Sequence, residues 1–213
     1  MKAACRLLLP LAAALPTGCG RDLPLDLVIQ DTWTGLELDA VEQAVAEWNA
    51  VGESRLREPG PMLRTIGRTA DAFDIDDLGD EMHVIYRISE PTPDFKELES
   101  ETGEMYGYGT YGDVLIVTYL RALPGFCAEE SFHELYPNDD YQEYIEEMTP
   151  EVFREECVKH LRALVLHELG HFLGVAHFTH RPAVMSDSEF PDPTIVHLTE
   201  ADIEAFCIAY DCR

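Results

Sequence analysis

Three histidines and one glutamate stand at intervals that can bring metal ligands and a base together. They lie in the run His167-Glu168-Leu169-Gly170-His171-Phe172-Leu173-Gly174-Val175-Ala176-His177. On a helix, a four-residue step turns by about 40° and rises about 6 Å. His167 and His171 can then grip one zinc ion, each at about 2.0–2.1 Å. Glu168 is rotated by about 100° from His167, which suits a general base working on water beside the ion better than a third ligand. Gly174 falls where the helix should end, and a glycine there can take the left-handed conformation that turns the chain sharply. With that turn, His177 swings back and completes a three-histidine set. Three neutral ligands leave a fourth position open, as catalytic zinc requires and structural zinc does not. Singly, each residue has an ordinary reading as a surface histidine, a solvated charge or a helix cap. Their conjunction carries the chemistry.

The pattern His-Glu-x-x-His-x-x-Gly-x-x-His at 167–177 resembles the zinc signature of the metzincin peptidases. Ala183-Val184-Met185-Ser186 resembles their methionine turn, and Met185 lies eight residues after His177, as in the matrixin branch. Leu198-Thr199-Glu200-Ala201-Asp202-Ile203, continuing through Phe206 to Tyr210, is similar to the final matrixin helix. The resemblance implies an α+β metzincin fold. In it a twisted, mostly parallel sheet with one antiparallel edge strand packs on two helices, above a small C-terminal part. It also implies a zinc-dependent endopeptidase with zinc on His167, His171 and His177, Glu168 as the catalytic base, and Gly174 and Met185 as structural support. Substrate would be a protein or peptide, laid as an added strand along the Tyr/Gly-rich edge near residues 105–111. The chain also departs from the family. No Pro-Arg-Cys-Gly segment is present, Val114 to Thr118 lacks the histidine and acidic ligands for extra zinc and calcium, and Phe178, Ser186 and Asp187 replace the usual residues. A different class of reading is an exported zinc-binding or adhesive lipoprotein with little peptidase activity.

Positioning these residues needs a helix running into the zinc motif, and Thr149-Pro150 has the form of its start. Phe153, Cys157, Leu161, Leu164, Val165 and Phe172 fall at core-facing intervals along it. Further expected elements are a strand over Leu25 to Gln30 and a helix over Leu36 to Val51, with Leu38, Val41, Ala44, Val45 and Trp48 on one stripe and Gly52 closing it. Strands are expected around Arg64 to Thr69, Met82 to Ile88 and Asp113 to Leu120, with a short edge strand inside Gly103 to Gly112. Thr199 and Asp202 form a capping box, with Ile203, Phe206 and Tyr210 on one face of the helix that follows. Asp71 to Glu81 carries enough carboxylates to suggest calcium, but its spacing does not match an EF-hand loop, and a solvated turn is the preferred reading. Residues 121–149 read as an insertion.

Composition bounds the rest. The 213 residues, 46 % of them hydrophobic, allow one well-buried domain, here 20–213, and argue against wholesale disorder. A formal charge of −26 disfavours nucleic acid and anionic lipid as partners, because phosphates need a basic footprint. Residues 1–19 read as an export signal: Lys2 and Arg6 precede the apolar run Leu7 to Leu15. Cys19 then resembles the lipidated cysteine of a bacterial lipobox, with an ordinary signal cut nearby as the alternative. The expected protein is thus a monomer, exported and either secreted or lipid-anchored in the cell envelope. Cys127, Cys157, Cys207 and Cys212 would remain, an even number that suggests two disulfides among three connectivities. The preferred pairs are Cys127–Cys157 and Cys207–Cys212.

Overall fold

A computed structural model describes residues 23–74, 83–90, 92–102, 107–109, 114–117, 149–179, 182–186 and 195–213. The expected export signal with Cys19, most of the acidic loop, the expected insertion up to 148, and Cys127 all lie outside the described residues.

Five strands form one sheet in the order β2-β1-β3-β5-β4. They are β1 (Leu25–Gln30), β2 (Leu63–Thr69), β3 (Val84–Ile88), β4 (Gly107–Gly109) and β5 (Val114–Val117). β1, β2, β3 and β5 run parallel, whereas β4 pairs antiparallel with β5 at the edge. This is the mixed sheet with an antiparallel edge strand that the resemblance implied. Both faces are covered, and the alternation of side chains along each strand shows how. Leu27, Ile29, Ile85, Val114 and Ile116 point into the main core. Val28, Val84, Tyr86 and Ile88 point into a smaller cluster on the opposite face.

The main core is built with α1 (Gly35–Arg55) and α3 (Pro150–Phe172). Ala40, Val41, Ala44, Val45, Trp48 and Val51 line the buried stripe of α1. Leu161, Leu164, Val165, Leu166, Leu169 and Phe172 are buried along α3. Trp48 joins the two helices, since its buried indole N–H donates to the Leu166 carbonyl at 3.0 Å. This satisfies an indole donor that would be costly to bury alone. Arg162 on α3 also pairs with Glu47 on α1.

Two expectations need correction, and one helix was not expected. Gly52 does not end α1, which continues to Arg55. A Cβ on Gly52 would sit 2.5 Å from the Met62 side chain and 2.6 Å from the Gly60 carbonyl, so the absent side chain admits the following loop instead of capping a helix. α2 (Pro93–Thr102) was not anticipated. The Thr92 hydroxyl accepts the Phe95 N–H at 3.2 Å and so caps its first turn, while Phe95 and Leu98 are buried in the smaller cluster. Finally, Cys157 is a free thiol, half-buried against the main core, where it packs as a small apolar side chain. Cys207–Cys212 is a disulfide, as expected.

The last helix, α4 (Glu200–Ala209), begins with the expected Thr199–Asp202 capping box. Phe206 and Tyr210 are buried and stacked, and the Tyr210 hydroxyl donates to the Leu173 carbonyl at 2.8 Å just beyond α3. Among the described residues no helix is long and apolar enough to cross a membrane.

Candidate metal centre

α3 carries His167, Glu168 and His171 in its last turns. The helix then stops as the glycine spacing foretold. Gly174 has φ +90°, the Gly174 N–H donates to the His171 carbonyl, and the Val175 N–H reaches back to the Gly170 carbonyl, each at 2.8 Å. These paired bonds around a left-handed glycine satisfy carbonyls that the helix end would otherwise orphan. The turn sends the chain back beneath α3. The Phe178 N–H then donates to the Met185 carbonyl at 3.1 Å, which ties the third-histidine segment to the turn at 183–186.

As a result the three Nε2 atoms converge. They lie 2.8 Å apart between His167 and His177, 2.9 Å between His171 and His177, and 3.1 Å between His167 and His171. His167 is buried, His171 half-buried and His177 exposed, so the set opens to solvent on one side. The other ring nitrogen of His167 lies 2.6 Å from the Val184 carbonyl, and that of His171 lies 2.9 Å from the Val175 carbonyl. A carbonyl only accepts, so each Nδ1 carries the proton and each of these Nε2 atoms presents a lone pair to the other histidines. Lone pairs facing one another repel unless a cation lies between them. A tetrahedral ion at about 2.0–2.1 Å holds its ligand atoms about 3.3 Å apart. The donor set therefore suits zinc, with the nitrogens drawn slightly closer together than a tetrahedral ion would hold them.

The electrostatics agree. Burial lowers His167 to about 3, reinforced by repulsion from His171, with the Val184 carbonyl opposing. Burial lowers His171 to about 4, against the Val175 carbonyl. Both imidazoles are thus neutral, as ligands must be. Glu168 is buried, and its burial raises the carboxyl to about 8, opposed by a hydrogen bond from the Gly109 backbone. A cation beside it acts in the other direction and favours the charged form.

The space that Gly170 leaves and a second role of Asp202 escaped the sequence reading. Met185 is fully buried beneath α3, and a Cβ on Gly170 would run into its sulfur and come within 3.2 Å of Trp48. Gly170→Ala is expected to destabilise the fold by roughly 1–2 kcal/mol. Overpacking costs about 1–3 kcal/mol, while alanine returns at most about 1 kcal/mol of helix propensity. Urea denaturation checks this, and undiminished stability would show that Met185 can move aside freely. Asp202 has two roles. Besides capping α4 it accepts the Val184 and Met185 N–H groups at 3.2 and 2.8 Å, so one buried carboxylate holds both the last helix and the turn at 183–186.

No family model matches the chain, and no curated protein matches it. Solved structures give looser likenesses. Archaemetzincin from Methanopyrus kandleri superposes with a TM-score of 0.47 at 15 % identity, over 85 % of this chain and 93 % of that one. A zinc-dependent peptidase from Methanocorpusculum labreanum gives a TM-score of 0.40 at 12 % identity, over 85 % of this chain and 99 % of that one. These likenesses are too loose to place the chain in a family, and the converging histidines are what speak for its chemistry.

Proposed function

We propose that the chain is a zinc-dependent endopeptidase of the metzincin type, matrixin-like in its methionine turn. One observation carries the reading: three histidine Nε2 atoms converge within 3.1 Å, and the helix that bears two of them also bears a buried glutamate. His167, His171 and His177 would hold the ion. Zinc in such a site supplies a Lewis acid that polarises a carbonyl and makes water a better nucleophile at neutral pH. Glu168 takes a proton from the attacking water at its carboxylate and delivers it to the departing amine nitrogen. Val184 and Val175 hold the histidine rings in the ligand tautomer through their carbonyls. The edge strand β4, beside Glu168, offers a template for an extended peptide.

The export signal over 1–19, with Lys2 and Arg6 before an apolar run, supports an extracellular or envelope substrate, and Cys19 supports a lipid anchor. The full chain should bind one zinc ion and cut peptides of a broad library at internal bonds. Chelation should abolish cleavage, and added zinc should restore it. Zinc binding without cleavage of any library peptide would sink the peptidase reading in favour of a zinc-binding protein.

A further inference from the structure

β4 lies against α3 at the residue proposed as the base. A Cβ on Gly107 would stand 2.7 Å from Glu168 Oε1, 2.8 Å from its Cγ and 3.0 Å from its Cδ. A Cβ on Gly109 would run into the Glu168 main chain, overlapping its carbonyl oxygen and lying 2.9 Å from its Cα. The Gly109 backbone also donates a hydrogen bond to the Glu168 side chain. Tyr108, between them, turns the other way and packs against the smaller core cluster, as strand alternation requires. The two glycines therefore share the face that meets Glu168, and no side chain at either position would fit while Glu168 stays where it is.

We propose that Gly107 and Gly109 are positioning residues for Glu168, with Gly109 orienting the carboxylate through its N–H and Gly107 leaving the space that the carboxylate occupies. This rests on the reading of Glu168 as the base and adds the device that aims it. A carboxylate on a flexible stem spreads over several rotamers. Here the backbone of β4 limits it to one, so the base is in place before substrate arrives. The two glycines also do different things. The three atoms nearest an intruding methyl at 107 all belong to the side chain of residue 168, which can swing away. At 109 it meets the helix backbone, which cannot.

That difference defines the test. Gly107→Ala, Gly109→Ala and Glu168→Ala are made singly, and each glycine variant is combined with Glu168→Ala. Urea midpoints are measured on the zinc-free chains, and steady-state kinetics on the zinc-loaded single variants. Gly107→Ala should lower the midpoint when residue 168 is Glu and leave it nearly unchanged when residue 168 is Ala. Gly109→Ala should lower it equally in both backgrounds. Gly107→Ala should also reduce kcat by about 10–100-fold, as a displaced catalytic group does, with KM within about twofold of wild type. If Gly107→Ala fails to fold, its recovery in the Glu168→Ala background supports the proposal, and failure in both backgrounds overturns it. Equal midpoint losses for Gly107→Ala in the two backgrounds, or an unchanged kcat, would overturn it as well. A wild-type chain that cuts no peptide would defeat the peptidase reading alone, because the midpoint comparison reads the glycine–glutamate contact without any activity.

Discussion

Glu168→Ala is expected to lower kcat by about 10²–10⁴-fold, the range that a positioned general base contributes, while the chain still binds one zinc ion. The separation follows from the geometry. The three converging nitrogens belong to His167, His171 and His177, and Glu168 is no part of that set. It faces β4 instead, where Gly109 holds it. Removing its side chain takes away the proton acceptor and leaves the ligand atoms alone. KM should change little, since the loss falls on an interaction made in the transition state. The variant should also fold at least as stably as wild type, because a carboxyl that burial pushes up to about 8 is an expensive group to enclose without its ion. Zinc content by atomic emission, read beside cleavage rates, checks the result. Equal cleavage by variant and wild type would remove Glu168 from the chemistry.

Asp202→Ala should produce the largest loss of stability, roughly 3–5 kcal/mol. The carboxylate is fully buried and accepts from the Val184, Met185 and Thr199 N–H groups and the Thr199 hydroxyl, at 3.2, 2.8, 2.7 and 2.8 Å. Alanine leaves these donors without an acceptor, and each buried, unsatisfied donor costs about 1–3 kcal/mol. Against a typical total of about 5–15 kcal/mol, that is a large fraction of the fold. The effect should extend to the metal. Val184 donates its N–H to Asp202 and accepts from His167 through its carbonyl, so loosening Val184 frees a ligand ring. A loss of zinc affinity of about 10–100-fold is the usual result of removing such support. Asp202→Asn, which keeps one oxygen acceptor, should lose less on both counts. Urea denaturation and zinc competition measure the two effects. A stability loss below about 1 kcal/mol with unchanged zinc affinity would show that the turn at 183–186 holds itself.

Most of the site was legible because its geometry is local. The spacing of His167 and His171 needs only the helical period, and the reversal at Gly174 needs only a residue that accepts φ +90°. The capping box at Thr199–Asp202 and the helix start at Pro150 depend on a few neighbouring residues. α2 was missed although Thr92 and Pro93 mark its beginning, because Phe95 and Leu98 are too few apolar residues to give a ten-residue segment a clear period. Gly52 was misread for a related reason. A glycine near the end of an apolar stripe looks like a cap, and only the approach of Met62 and Gly60 shows that it lies inside the helix.

The amino-acid sequence by itself determined which histidines converge, the turn that joins them and most of the strands behind them. Each follows from spacing along a helix or alternation along a strand, which the backbone enforces wherever those elements form. Only the tertiary structure decided what holds that apparatus in place. Asp202 grips the turn at 183–186, Gly170 admits Met185, and Gly107 and Gly109 admit Glu168 because surfaces far apart in the chain meet there. Whether a missing side chain matters depends on what arrives in its space, and close packing between distant segments leaves no periodic trace in the sequence.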